Sequence, residues 1–106
     1  MAWFVLFGAG LLEIVWAFTM KKSEGFTLLV PSAVTIVAMI GSVWLLALAM
    51  RSIPLGTAYT IWTGIGAVGA FLFGILALGE SSSPLRWLAA ALIVSGLVLM
   101  KATSSD

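Results

Sequence analysis

Four apolar stretches take up almost the whole of this chain. They run from about 2 to 20, 28 to 50, 56 to 78 and 84 to 100. Each is close to the roughly 20 residues that an α-helix needs to cross the hydrocarbon core of a bilayer. The segments between them hold five to seven residues, enough for a turn and too few for an extramembrane domain. Loops this short make neighbouring spans antiparallel. The sequence therefore predicts an all-α integral membrane protein: a single four-helix transmembrane domain over 1–106.

Composition closes off the other classes. Charged residues make up 8% of the chain, against about 25% in a soluble domain. Net charge is +1, so there is no footprint for nucleic acid. Cysteine and histidine are both absent. That removes disulfides, thiol nucleophiles, imidazole bases and the usual zinc or haem ligands. The expectation is a protein that is not an enzyme and carries no metal or cofactor.

Punctuation agrees with four spans. Lys21-Lys22 and Ser23-Glu24-Gly25 end the first, and Pro31 falls in the early turns of the second. Ser52, Pro54 and Gly56 mark the middle loop. Ser81-Ser82-Ser83-Pro84 reads as an N-cap cluster with proline at the first helical position. No Lys or Arg precedes Lys21 and the first span holds an acid, so that span reads as retained rather than as a cleaved signal.

Charge barely orients the chain. Lys21, Lys22 and Arg86 lie on one side and Arg51 and Lys101 on the other, three against two. Two readings stay open: one fixed orientation with a noisy count, or insertion both ways, which would allow a dimer of opposed copies. Lys101 itself is placed to cap the last carbonyls of the fourth span or to act elsewhere.

Glu13 is the main functional clue. Glu24, Glu80 and Asp106 fall in loops or the tail, but Glu13 lies within roughly 3 Å of the middle of span one. An ionised side chain there costs at least ~2.5–3.5 kcal/mol, and no Lys or Arg of the chain shares its depth. It is either a protonated carboxyl bonded in a helix interface or a carboxylate that trades a proton for a cation. Gly10 and Trp16 share its helix face, Gly10 removing bulk and Trp16 adding a ring. Ser32, Thr35, Met39 and Ser42 form a stripe on span two, and Tyr59, Trp62 and Thr63 cluster on span three. An acid, hydroxyls and aromatic walls suit a cation site. Trp16, Tyr59 and Trp62 equally fit an interfacial aromatic belt. Gly66, Ala70 and Gly74 form a small-residue ladder, and Gly64 with Gly66 offers a hinge or a packing face. Ala89, Leu92, Ile93, Gly96 and Met100 stripe span four, where packing or dimerisation is expected. Four helices are too few to enclose a substrate path, which points to an oligomer.

At this point the chain resembles the small multidrug resistance family over essentially its whole length. The carrying residues are Pro54, Gly56, Ala58, Tyr59, Trp62, Gly64 and Gly66. Within that family the runs Gly10 to Ala17, Gly25 to Thr27, Pro31-Ser32, Trp62 to Ala67 and Lys101 to Ser105 are similar to the guanidinium exporter subtype. The quaternary-ammonium subtype has a small residue where Trp16 stands and an aromatic where Met39 stands. The resemblance implies an antiparallel homodimer in the bacterial inner membrane that exports guanidinium in exchange for protons. It implies that proton and cation compete for paired Glu13 carboxylates, that Ser42 and Trp62 orient Glu13 by hydrogen bonds, and that Tyr59 lines the pocket. It makes Met39 a lipid-side portal. Two alternatives stand beside it: a multidrug exporter of quaternary cations, and a structural membrane subunit without transport.

Overall fold

The computed structural model describes residues 1–104. Asp106, read above as a tail residue, and Ser105, the last residue of the Lys101 to Ser105 run, lie outside the described residues. Four helices follow one another: α1 (Ala2–Lys22), α2 (Leu29–Ala49), α3 (Leu55–Leu78) and α4 (Pro84–Ala102). All four are long and apolar enough to span a bilayer.

Local chemistry sets the helix ends. Ser23 closes α1: its hydroxyl donates to the Met20 carbonyl at 2.6 Å and accepts the Phe26 N–H at 3.0 Å. Glu24, Gly25 and Phe26 then take positive φ, at 50°, 75° and 66°. This left-handed run reverses the chain in a few residues, and only glycine enters that region without a steric cost. Pro54 caps α3, which starts at Leu55, a residue ahead of the span read from the sequence. Gly79 ends α3 at φ 68°. The serine-proline signal for α4 is met directly: Ser83 is the N-cap, its hydroxyl accepting the Arg86 N–H at 3.4 Å, and Pro84 opens the helix.

α1 is the central helix, packed along both α2 and α3. The backbone of α4 meets α3 alone. The tightest core sits at one end of the bundle, where Leu6 and Ala9 of α1 meet Leu46, Ala49, Ile53, Ala58, Ile61 and Trp62. Toward the other end a polar pair joins α1 to α2. Thr35 is fully buried and its hydroxyl lies 2.6 Å from that of Thr19; each also reaches a carbonyl one turn back on its own helix, Thr35 that of Pro31 at 2.7 Å and Thr19 that of Trp16 at 3.3 Å. Helix association in lipid depends on such close packing and bonding because burying apolar surface gains little there.

Aromatic rings seat three of the cations near the helix ends. Lys22 lies 5.7 Å from the Phe18 ring, and Arg86 lies 5.7 Å from the Phe71 ring. Lys101 sits 4.5 Å above Trp3. This resolves the question left by the sequence: Lys101 reaches across to the first turn of α1.

Candidate functional site

The site is built where α1 and α3 meet. Gly10 of α1 faces Ile65 of α3, and a Cβ at Gly10 would stand 2.7 Å from the Ile65 Cγ2. The space at Gly10 is thus taken up by the neighbouring helix, not by the carboxyl of Glu13. One turn on, the relation is reversed: the Glu13 side chain lies on Gly66 of α3, and a Cβ there would overlap the carboxyl group. Gly66, read from the sequence as a hinge or packing residue, is what makes room for the acid. No signal within span three singled it out from Gly64 or Gly69; the complement to Glu13 lies on another helix.

Glu13 is half-buried, and its Oε1 is enclosed without a hydrogen-bond partner among the described residues. The Trp16 indole nitrogen, one turn along the same helix, is likewise buried and unpartnered. An acceptor and a donor thus stand on one helix with no described residue serving either.

Ser42 and Trp62 are brought together, but not onto the acid. The Trp62 Nε1–H donates to Ser42 Oγ at 3.0 Å, and Ser42 donates to the Ala9 carbonyl at 2.6 Å. This corrects the expectation that both bond to Glu13. A serine has one proton and an indole one N–H, and here both are committed. The effect on Glu13 is indirect. Ala9 is the residue whose carbonyl takes the helical bond of the Glu13 amide, so the α3–α2–α1 relay fixes the turn that carries the acid. Ala9 is the participant that sequence reasoning missed, since a main-chain carbonyl leaves no mark in a pattern of side chains.

Trp62 is 9% exposed and bonded inside the bundle, which excludes the aromatic-belt reading for it. Tyr59 is different. It is 52% exposed, and its ring lies 5.6 Å from that of Trp62. The pair forms an aromatic wall that continues from the core to the open surface. Met39 is half-buried on α2. An apolar groove of about 510 Å³ between α1 and α2 is lined by Leu12, Val34, Val37, Ala38 and Gly41, and Met39 is not on it. Gly64 packs against Leu97 of α4, and α3 runs unbroken through this stretch. On α4, Ala89 is exposed and Gly96 has open space beside it.

The profile of the family described as Small Multidrug Resistance protein matches residues 1–93. The chain belongs to that family. Individual small multidrug resistance relatives are close. A guanidinium exporter of Citrobacter freundii is 58% identical over 101 residues, 95% of this chain and 96% of the relative. One of Yersinia pestis is 55% identical over 104 residues, 98% of this chain and all (100%) of the relative. Another, from Klebsiella oxytoca, is 58% identical over 101 residues, 95% of this chain and 96% of its own length. Membership in the small multidrug resistance family and four membrane-length helices make this a multi-pass protein of the bacterial inner membrane.

Proposed function

We propose that this protein exports guanidinium across the inner membrane in exchange for protons. The observation that carries the reading is the Glu13 carboxyl, set against Gly66 between apolar helices with one oxygen unpartnered among the described residues. The relatives' name, guanidinium exporter, supports the choice of cation.

Guanidinium suits such an acid. It is planar, stays charged at physiological pH, and presents N–H donors that match a carboxylate two at a time. A quaternary ammonium presents none and depends on ring faces and volume. One Glu13 cannot hold both edges of a planar cation. The functional unit is therefore an antiparallel homodimer, in which two Glu13 carboxyls face one site. The near-even charge count permits opposed insertion, and the uncovered Ala89, Leu92, Ile93 and Gly96 face of α4 offers the second copy a packing surface.

In this reading the cation and the protons exclude one another at the paired carboxyls. Guanidinium leaves as the acids are protonated from the far side, and the protons leave on the other side when the next cation binds. Two protons in for one cation out moves one net charge, worth ~2.3 kcal/mol per 100 mV beyond the pH gradient. Ser42 and Trp62 act as positioning residues by holding the α1 turn, Tyr59 and Trp16 wall the site, Gly10 lets α3 approach, and Met39 opens toward lipid. No covalent chemistry is involved, and the protein is a carrier rather than an enzyme.

The test is proton movement driven by guanidinium in sealed proteoliposomes. Flux with guanidinium, weak flux with a tetraalkylammonium and none with Glu13→Gln is the expected result. Strong flux with the bulky cation alone would move the protein to the multidrug class. Coupled transport surviving in Glu13→Gln would overturn the role of the acid.

A further inference from the structure

The first turns of α1 and the last turns of α4 frame a groove that the transport reading does not use. Its volume is about 710 Å³, and Phe4, Phe7, Ile61, Ile65, Leu97 and Val98 form its walls, with Lys101 at one end. Three helices contribute, α1, α3 and α4. Phe4 and Val98 are 78% and 63% exposed, so the groove is open toward the bilayer.

Depth is set by the helices themselves. Trp3 and Lys101 are each the second residue from a helix end, where α1 begins and α4 finishes. That is headgroup level, where tryptophan and lysine are favoured. Ile65 lies ten residues into α3, roughly 15 Å deeper. The groove therefore starts at the headgroups and runs into the hydrocarbon region. At its mouth the Lys101 ammonium stands 4.5 Å over the Trp3 ring, with no carboxylate paired to it among the described residues. The ring holds the ammonium in place without neutralising it.

We propose that this groove binds one anionic phospholipid of the surrounding bilayer, with an acyl chain along the apolar walls and its phosphate on Lys101 Nζ. A single fixed cation above a long apolar slot is the complement of an amphiphile with one anionic head and an apolar tail. A free phosphate would leave the walls unused, and a zwitterionic lipid brings its own cation beside the lysine. Basic positions between transmembrane helices attract anionic headgroups for the same reason. The inference rests on the groove and Lys101, and stands apart from the transport cycle.

The test is native mass spectrometry of the purified protein in mixed micelles with phosphatidylglycerol or phosphatidylcholine of matched chains. The wild-type protein is expected to retain phosphatidylglycerol about five-fold better, the factor one interfacial cation supplies. Lys101→Ala brings the two lipids to parity, Lys101→Arg keeps the preference, and Val98→Trp, which fills the groove, lowers retention of both. Lys22→Ala, a cation away from the groove, leaves the preference unchanged. Circular dichroism checks that each variant is folded. Equal retention of the two lipids by the wild type, a preference that survives Lys101→Ala, or equal sensitivity to Lys22→Ala would overturn the proposal. So would a wild type that retains no lipid while Val98→Trp disrupts self-association, since a second copy would then cover the groove.

Discussion

Glu13 rests its carboxyl on the bare Cα of Gly66, so the one acid in the membrane interior has its space from a residue more than fifty positions away. Two helices, not one, define where the charge-bearing group can stand.

Gly66→Ala tests that relation. Alanine is a better helix former than glycine, so α3 keeps its helicity, but the added methyl overlaps the carboxyl. Overpacking of this kind costs about 1–3 kcal/mol or displaces the side chain. The expected result is unchanged circular dichroism with guanidinium-driven proton flux reduced at least about ten-fold, the factor that ~1.4 kcal/mol represents. Flux at the wild-type level would show that Glu13 works from another position.

Ser42→Ala removes the middle of the Trp62–Ser42–Ala9 relay. It leaves a buried indole N–H without an acceptor, a loss of about 1–3 kcal/mol. Trp62→Phe removes that N–H, and residues sharing one network couple by about 0.5–3 kcal/mol. Denaturant titration in micelles should therefore find the double variant less destabilised than the sum of the singles. Strict additivity would show that the relay is not formed in the folded protein.

Thr35→Val breaks the polar tie between α1 and α2. Interhelical bonds in membranes average about 0.6 kcal/mol and reach about 1.7. A loss in that range is expected in the same titration, with guanidinium binding by isothermal calorimetry unaffected. A large loss of binding would move Thr35 into the site.

Arg51→Ala changes the flanking charge from three against two to three against one, counting the five Lys and Arg. The chain has no cysteine, so a Ser104→Cys label reports which side the C-terminus faces. The parent should be labelled from both sides of the membrane. The Arg51→Ala form should be biased so that Lys21, Lys22 and Arg86 face the cytoplasm, and its transport should fall unless a copy of the opposite bias is co-expressed. Labelling of the parent from one side alone would rule out opposed insertion.

The helices were legible because hydrocarbon imposes a length, and that length is written in residues such as Lys21-Lys22, Pro54 and Ser83-Pro84. Glu13 was legible for the same reason: a lone acid at mid-depth stands out by cost alone. Its surroundings were not. The resemblance set Ser42 and Trp62 beside it, yet spacing within one helix does not say which neighbour takes a proton, and the acceptor proved to be the Ala9 carbonyl. Lys101 similarly carried no mark of its partner, the Trp3 ring.

By itself the sequence determined that the chain holds four helices long and apolar enough to cross a membrane. It also determined that one carboxyl must be accommodated in the interior. The tertiary structure decided which faces meet: Gly66 under Glu13, Ile65 against Gly10, Ser42 on Ala9 and Lys101 over Trp3. The reason is physical. A helix in water announces its buried face by being polar on the other side, whereas a helix in lipid is apolar all round. Its packing face is then chosen by close fit and a few polar bonds, and those exist only once the neighbouring helix is in place.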